Sequence, residues 1–153
     1  MIRVCPSCQA KNRIPPEHLA DTGRCGACKA ALAPLAEPRD VDAKEFADII
    51  RASKVPVLVD FWAPWCGPCR MAAPEVARAA AEARGRAVVL QVNTDQHPEI
   101  ASRFDVRGIP HFVVLANGRP LISQAGLVRT PQLLAWIDRA SARASTRPAD
   151  AHR

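Results

Sequence analysis

The sequence predicts an α/β fold in which helices flank a mixed central sheet, preceded by a small cysteine-rich segment. An unbroken apolar run from Val55 to Phe61 indicates a strand buried on both faces. A helical pattern and a second apolar strand, Ala87 to Val92, follow it, and such strand–helix–strand units pair as parallel neighbours. Asn117-Gly118 between two later apolar runs predicts an antiparallel hairpin, which makes the sheet mixed.

Capping and apolar spacing predict the first helix. Asp42 and Glu45 have the spacing of a capping box, and Phe46, Ile49 and Ile50 then share one apolar face. We therefore expect a helix that begins at Asp42 and packs against the sheet.

Turn residues divide the rest of the chain. The helix that begins at the third cysteine pair stops at Gly85 and contains Pro74, where we expect a kink. Pro98 begins a short helix that ends near Phe104. The last elements are strands from Phe112 to Leu115 and Leu121 to Gln124, then a helix capped by Thr130-Pro131 with Leu133, Leu134 and Ile137 facing the sheet. After the first helix the order is β-α-β-α-β-β-α.

Length and charge bound the class of protein. The 153 residues suffice for one ordinary domain and a small appendage. No apolar run approaches the roughly 18–20 residues that span a bilayer, and the residues after Met1 lack the apolar region of a secretory signal. We therefore expect a cytoplasmic protein without a membrane partner. The net charge of +6 is scattered along the chain, which favours a solvated surface over a nucleic-acid site.

Cys66-Gly67-Pro68-Cys69 follows the buried strand where the helical pattern begins. This position puts both sulfurs on the first turn of a helix, where free backbone N–H groups and the macrodipole favour a thiolate. We expect Cys66 to be the exposed nucleophile and Cys69 the more buried resolving thiol. The alternatives are two structural thiols or half of a metal site, which the preceding Trp65 and the strand–turn–helix context disfavour.

This segment resembles the active site of the thioredoxins. Gly108-Ile109-Pro110 is similar to the family's cis-proline loop, Pro74 to its helix proline and Gly126 to the glycine beside its substrate groove. The resemblance covers roughly residues 40 to 144. It implies the thioredoxin fold and a protein-disulfide reductase whose Gly67-Pro68 spacer accompanies reducing behaviour. It also implies that an NADPH-dependent flavoprotein, thioredoxin reductase, recharges the protein, and that oxidised proteins are its substrates.

The resemblance also implies roles for residues around the two cysteines. Asp60 lies in the buried strand, where a carboxyl group without a partner has a raised pKa; by resemblance it exchanges protons with Cys69. The backbone of Ile109 would bind an extended substrate, with Trp65, Pro110 and Gly126 lining an apolar contact patch and the Ile109–Pro110 bond cis. For Trp62, a core position and a contact position remain equally open.

The sequence departs from the family at two positions. Gln91 stands where the family has a lysine close to the buried aspartate, so Asp60 lacks a charge partner. His111 replaces the threonine after the cis-proline. We interpret His111 as a surface substitution at a tolerant position, with a pH-sensitive switch as the alternative.

The four other cysteines, Cys5, Cys8, Cys25 and Cys28, have the spacing Cys-x2-Cys-x16-Cys-x2-Cys of a zinc ribbon. They also resemble the ribbon of a bacterial subclass of thioredoxins. Four thiolates leave no open ligand position, so the Zn²⁺ would be structural; the alternative is two redox disulfides. His18 is then an exposed bystander.

These motifs predict four segments: a zinc ribbon at 1–33, a linker at 34–40 that could supply an edge strand, a thioredoxin-like domain at 41–144 and a disordered tail at 145–153. Oxidation of the ribbon would expel its zinc, so we hypothesise a redox switch, with a passive stabilising role as the alternative. A competing function is an adaptor that binds an acidic or nucleic-acid partner through Arg3, Lys11, Arg13, Arg24 and Lys29. A disulfide oxidase or isomerase fits the Gly-Pro spacer poorly.

Overall fold

The computed structural model describes residues 1–145. Its cysteine-rich segment folds as two hairpins joined by a 3₁₀ helix at Pro16–His18. β1 (Ile2–Val4) pairs with β2 (Lys11–Arg13), and β3 (Gly23–Arg24) pairs with β4 (Ala31–Leu32).

Each cysteine pair of this segment occupies a hairpin turn. The residue after each pair has positive φ, 65° at Gln9 and 67° at Lys29. The two turns also share the same pattern of backbone hydrogen bonds. The two halves of the segment are therefore built alike around their cysteines.

A five-stranded mixed sheet forms the centre of the larger domain. Its strands and helices are β5 (Arg39–Asp40), α1 (Ala43–Ala52), β6 (Val57–Trp62), α2 (Gly67–Glu82), β7 (Val88–Asn93), α3 (Pro98–Arg103), β8 (His111–Ala116), β9 (Arg119–Ala125) and α4 (Thr130–Ser145). The strand order is β5-β7-β6-β8-β9. β6 pairs in parallel with β7 and antiparallel with β8, which confirms a mixed sheet.

Two hydrophobic clusters cover the two faces of this sheet. On one face α1 and α3 pack against alternate residues of β6, including Val57, Val59 and Phe61. On the other face α2 and α4 pack against the intervening residues, including Leu58. Both sets are nearly fully buried, which is why β6 has the continuous apolar sequence that predicted it.

The predicted elements are present with small changes at their ends. Asp42 caps α1, and the reciprocal hydrogen bonds with Glu45 confirm the capping box. Pro74 lies within α2. Arg39 and Asp40 form β5, an edge strand supplied by the predicted linker and parallel to β7. The sequence predicts a disordered tail at 145–153; Ser145 instead ends α4, and the rest of that segment lies outside the described residues. Among helices within residues 1–145, a membrane-spanning candidate is not found.

The ribbon is packed against the larger domain. Leu19 and Leu35 are buried to 2% and 3% exposure in the cluster that contains Phe46 of α1. The Leu35 N–H donates to the carbonyl of Leu19 at 2.9 Å, and Arg3 pairs with Glu37 at 3.5 Å. The two parts therefore share a hydrophobic core.

This shared core predicts that Leu19→Ala destabilises the whole protein. Removing a buried leucine side chain costs about 2–4 kcal/mol of unfolding free energy, because a cavity is left behind. Urea unfolding, followed by the fluorescence of the tryptophans in the larger domain, measures this loss. Ile2→Ala is the control, since Ile2 is 46% exposed and should cost under about 1 kcal/mol. Equal effects of the two variants would contradict the shared core.

Candidate active site and metal centre

Cys66 and Cys69 lie at the start of α2, directly beyond the end of β6, and form a disulfide. Cys66 is the N-cap residue, and its Sγ accepts a hydrogen bond from the Cys69 N–H at 3.2 Å. Gly67 and Pro68 are the first two helical residues, and Pro68 supplies the fixed φ that suits a helix start. The Cys66 sulfur thus sits in the positive field of a helix N-terminus, which stabilises a thiolate when the disulfide is reduced.

The expected difference in exposure between the two cysteines is wrong. Cys66 is 3% exposed and Cys69 is 6% exposed, because both sulfurs pack in a small cluster with Ala63, Ile109 and Trp62. They differ in what they face. Cys66 Sγ lies 3.7 Å from the Ile109 carbonyl oxygen, whereas Cys69 lines a cavity that contains Asp60.

The loop before β8 faces the disulfide. The Ile109–Pro110 peptide bond is cis, as predicted. Gly126, the residue after β9, donates its N–H to the Pro110 carbonyl at 2.8 Å. Its φ of +103° is one that side chains rarely adopt, and apart from its chain neighbours no described residue has an atom within 4 Å of where a Cβ would stand. Gly126 therefore holds this loop while leaving open space beside it.

Trp65 projects beside the disulfide and is 67% exposed. Its indole Nε1 donates to both carboxylate oxygens of Asp95, at 3.0 and 3.2 Å. This bond fixes the ring orientation while leaving its apolar surface in solvent. Trp62 is half-buried and packs against the disulfide cluster.

Asp60 is a buried carboxyl group, 2% exposed. Its Oδ2 accepts a hydrogen bond from the Gln91 amide at 3.4 Å, and its Oδ1 has no hydrogen-bond partner within residues 1–145. Burial raises the pKa of Asp60 to about 7, against the opposing effect of the Gln91 hydrogen bond and with help from the charge of Asp40. A cavity of about 230 Å³ joins Asp60 to Cys69, so this carboxyl group can exchange a proton near neutral pH.

The four ribbon cysteines form one compact cluster. All four sulfurs lie within 4.8 Å of one another, with 3.7 Å between Cys5 and Cys28 and 3.6 Å between Cys8 and Cys25. Zn–S bonds of about 2.3 Å in a tetrahedron place the sulfurs roughly 3.8 Å apart. The cluster therefore fits a structural Zn²⁺ ion.

The charges at this cluster also suit a cation. Hydrogen bonds from the Cys28 backbone N–H and from the Asn12 amide lower the pKa of Cys25 to about 6. The Cys8 backbone N–H lowers the pKa of Cys5. Although the Ala10 backbone N–H opposes the change, the neighbouring thiols raise the pKa of Cys8 to about 12. A bound cation would let all four groups ionise, Cys8 included, because metal ligation requires the thiolate.

Comparison with known proteins agrees with both parts of the structure. The family model described as "Thioredoxin" matches residues 37–139, more than half of the chain. The chain belongs to the thioredoxin family. A zinc-ribbon family model described as "Thioredoxin 2, N-terminal" matches residues 4–30.

Thioredoxins of several organisms are similar to this chain. "Thioredoxin C-3" of Corynebacterium nephridii is 41% identical over 138 residues, which cover 90% of this chain and 94% of the relative. "Thioredoxin 1" of Chlorobaculum tepidum is 45% identical over 60% of this chain and 90% of the relative. The solved structure of a mutant thioredoxin from Halobacterium salinarum has a TM-score of 0.66 at 32% identity and covers 72% of this chain and 96% of that one. The fold is the thioredoxin fold, and this family member is a thiol–disulfide oxidoreductase.

His111 corrects an expectation about this thioredoxin. It is not a surface substitution, because it is only 8% exposed. Its ring packs edge-on against Phe61 at 6.2 Å, and its Nε2 lies 2.8 Å from the Ser123 hydroxyl. The first position of β8 is covered on both sides by β6 and β9, and this burial lowers the pKa of His111.

Sequence reasoning missed Asp95 and Asn12, which hold other site residues in place. Asp95 orients Trp65 from 30 positions away. Asn12 accepts the N–H of Gly26 at 2.9 Å and lies 3.5 Å from Cys25 Sγ, so it ties the two ribbon hairpins together. Neither stands in a motif. His18 pairs with Asp21 at 2.7 Å, outside the cysteine cluster, as expected.

The buried carboxyl group predicts a pH-dependent effect of Asp60→Asn on stability. The folded state retains the Asp60 proton up to about pH 7, whereas the unfolded chain loses it near pH 4. The contribution of Asp60 to stability is therefore full below pH 4 and is lost as the pH rises to about 7. Relative to the native protein, Asp60→Asn should gain up to about 4 kcal/mol of unfolding free energy over this range.

Urea unfolding of the oxidised protein at several pH values measures this gain. Asp138→Asn is the control, because Asp138 is exposed and pairs with Arg86 on the surface. If the difference in unfolding free energy between Asp60→Asn and the native protein does not change with pH, Asp60 titrates like an exposed aspartate and the prediction is wrong.

Proposed function

We propose that this chain is a protein-disulfide reductase of the thioredoxin type, with Cys66 as its nucleophile. The observation that carries the proposal is the position of Cys66 Sγ at the N-cap of α2, where it accepts the Cys69 N–H. In the reduced protein that hydrogen bond and the helix field favour the Cys66 thiolate. A thiolate, not a thiol, attacks a disulfide.

Two exchange steps then reduce a substrate disulfide. The Cys66 thiolate attacks one substrate sulfur, a Cys66–substrate disulfide forms, and the other substrate sulfur leaves as a thiolate that takes a proton from water. Cys69 then attacks the Cys66 sulfur, the Cys66–Cys69 disulfide forms, and the second substrate sulfur leaves. Two electrons pass from the enzyme to the substrate. Asp60 accepts the Cys69 proton in the second step, supported by their shared cavity and its pKa near 7.

The surface around Cys66 suits an extended, oxidised protein segment. Trp65 offers an exposed apolar ring, and the open space at Gly126 lies next to Pro110. Ile109 presents its backbone beside the Cys66 sulfur, so backbone pairing with a substrate strand would bring the substrate disulfide to the nucleophile. Trp65, Ile109, Pro110 and Gly126 form the proposed substrate groove.

We assign the recharging step to an NADPH-dependent flavoprotein thioredoxin reductase, the usual partner of this family. The Gly67-Pro68 spacer supports a reducing protein, since thioredoxin has a potential of about −270 mV. A dithiol of this kind functions in a compartment that keeps thiols reduced. We therefore place the protein in the cytoplasm.

The ribbon holds one structural Zn²⁺ through Cys5, Cys8, Cys25 and Cys28 in this proposal. The ion would cross-link the two hairpins of the ribbon through its four ligands. The ribbon needs this because it has little hydrophobic core of its own, in which Leu32 is buried beside Cys5 and Cys25. The proposed parts are the ribbon at 1–33, the connecting segment at 34–40 and the catalytic domain at 41–144. The packing of Leu19 and Leu35 on the catalytic domain gives the ribbon a route to influence it.

Redox sensing by the ribbon is also proposed. Each neighbouring thiol pair, Cys5 with Cys28 and Cys8 with Cys25, would give one disulfide and two molecules of water with hydrogen peroxide. A disulfide sulfur is not a thiolate ligand, so the metal would be lost. Zinc release that leaves the reductase activity unchanged toward several substrates would reduce the ribbon to a passive element.

The adaptor hypothesis gains nothing from the ribbon's basic residues. Arg3 pairs with Glu37, Arg24 donates to the Lys29 carbonyl and Lys29 Nζ donates to the Gly26 carbonyl. Three of the five basic side chains thus stabilise the protein itself. An acidic or nucleic-acid partner would have to displace these bonds.

The test of the proposed function is insulin reduction with thioredoxin reductase and NADPH, beside a zinc measurement on the same sample. We expect NADPH oxidation that requires both the chain and the reductase. A control first shows that a small dithiol reduces the Cys66–Cys69 disulfide. If that protein then shows no turnover with thioredoxin reductases from several bacteria, the proposal is overturned.

The roles of the two cysteines predict different outcomes for their serine variants. Cys66→Ser lacks the nucleophile and should show no insulin reduction above background. Cys69→Ser can complete the first step but not the second, so it should accumulate covalent disulfides with its substrates. Non-reducing electrophoresis and mass spectrometry detect these adducts at Cys66. Turnover by Cys69→Ser without an added dithiol would mean that the roles are wrongly assigned.

The metal site predicts near-stoichiometric zinc that depends on the ribbon cysteines. Cys25→Ser should lose the metal, since only three thiolates remain, yet retain insulin reduction because the catalytic domain has its own core. The unfolding free energy of Cys25→Ser should fall, because a ribbon without its metal loosens and weakens the packing of Leu19 on the catalytic domain. Cys66→Ser is the matched control: it removes a thiol outside the cluster and should keep its zinc. Equal zinc content in the two variants, by elemental analysis of reduced protein, would exclude the proposed ligand set.

A further inference from the structure

The sheet register brings a second carboxylate into line with Asp60. Asp40 of β5 lies opposite Gln91 of β7, and Gln91 lies opposite Asp60 of β6. Residues opposite one another on neighbouring strands point to the same face of a sheet. Asp40, Gln91 and Asp60 therefore form a row across three strands, on the face covered by α2.

One cavity connects this row to the redox cysteines. Asp40, Gln91, Asp60 and Cys69 all line the space of about 230 Å³. Asp40 is exposed, whereas Asp60 is 2% exposed, so the row runs from solvent to the buried carboxyl group. The walls are mostly apolar, but the polar groups of Asp40, Gln91 and Asp60 line this space, and polar groups are what hold water in a cavity of this size. Water bound there would give a proton on Asp60 a route to the surface.

The charges around Asp60 are few. Asp40 faces it from β5, Cys69 and Arg70 face the cavity from α2, and the neighbours on β7 and β8 are the neutral Gln91 and Phe112. The Arg70 guanidinium donates to the carbonyl of Pro64, another residue that lines the cavity, at 2.8 Å. Asp40 is thus the only carboxylate besides Asp60 that lines the cavity within the described residues.

We propose that Asp40 is a positioning residue for disulfide exchange: its negative charge favours the protonated form of Asp60, and its carboxylate leads that proton to solvent. The proposal rests on the proposed role of Asp60. In the second exchange step the Cys69 thiol gives its proton to the Asp60 carboxylate, and Asp60 then passes it to water in the cavity, toward Asp40. Asp40 forms no covalent bond and transfers no electron in this step.

The effect of the Asp40 charge on the pKa of Asp60 follows from the distance between the two residues. Strands two apart in a sheet lie roughly 10 Å apart, and a unit charge at that distance from a partly buried group shifts its pKa by about 0.5–1 unit. The Asp40 charge does raise the pKa of Asp60, beside the larger effect of burial. β5 holds Asp40 in place, because the next residue, Val41, donates its N–H to the Gln91 carbonyl at 3.2 Å.

The test compares Asp40→Asn and Asp40→Glu with the native protein. The titration of the Asp60 carboxyl carbon by NMR in the oxidised protein reports the coupling without any need for activity. Stopped-flow reduction of insulin by the reduced protein, across pH 5 to 8, reports the second exchange step. Asp138→Asn is the matched control, since it removes one surface carboxylate that does not line the cavity.

In Asp40→Asn we expect the Asp60 midpoint and the rate midpoint to fall together, by about 0.5–1 pH unit. Asp40→Glu and Asp138→Asn should each leave both midpoints within about 0.2 unit of the native values, because they keep the local charge. An Asp60 midpoint that is unchanged in Asp40→Asn overturns the proposal, whatever the activity. If the native protein fails to reduce insulin while the Asp60 midpoint still moves, the coupling stands and the proposed function fails instead.

Discussion

The structure depends on one junction, where the buried strand β6 ends and helix α2 begins. β6 lies between β7 and β8 and packs through both faces, so its end is fixed in space. The four residues from Ala63 to Cys66 turn the chain directly into the helix. The position of Cys66 at the helix N-terminus is therefore fixed, and the positive field of that terminus acts on its sulfur. Every other part of the site is arranged around this fixed point.

Burial of the Asp60 carboxyl group lowers the stability of the folded protein, and the packing of the rest of the sheet offsets this loss. Asp60 occupies a position that would accept an apolar residue, as its neighbours Leu58 and Phe112 show. Burying a charge there is unfavourable, so the group holds its proton until about pH 7. Gln91 offers it one neutral hydrogen bond instead of a positive charge. This choice keeps the pKa high enough for proton exchange and leaves the carboxyl group only partly satisfied.

The ribbon adds stability of a different kind. It has only a few buried residues of its own around Cys5, Cys25 and Leu32, too few to fold a segment of this length alone. Its four sulfurs lie together at one end, and Leu19 and Leu35 pack on the larger domain at the other. Any effect of the four-sulfur cluster on the larger domain would therefore pass through the packing of Leu19 and Leu35 on α1.

Features that are local in the sequence could be predicted from it. The buried strand, the capping box at Asp42, the helix start at Cys66 and the cysteine spacing each depend on a few neighbouring residues, and the structure contains them all. Contacts between distant residues could not be predicted. The Trp65–Asp95 bond, the burial of His111 and the row from Asp40 to Asp60 depend on strand register and on how loops meet, and no short motif encodes them. The expected exposure of Cys66 is wrong for the same reason, because its cover comes from Trp62 and from Ile109 of the cis-proline loop.

If the N-terminus of α2 stabilises the Cys66 thiolate, a pH titration of thiolate absorbance in the reduced protein should show it. A variant in which serine replaces both Cys66 and Cys69 gives the background from the four ribbon cysteines, one of which also has a lowered pKa of about 6. Above that background we expect one further thiol that ionises clearly below the ordinary pKa of about 8.5, present in Cys69→Ser and absent in Cys66→Ser. Ionisation of Cys66 in Cys69→Ser at or above about 8.5 would contradict it.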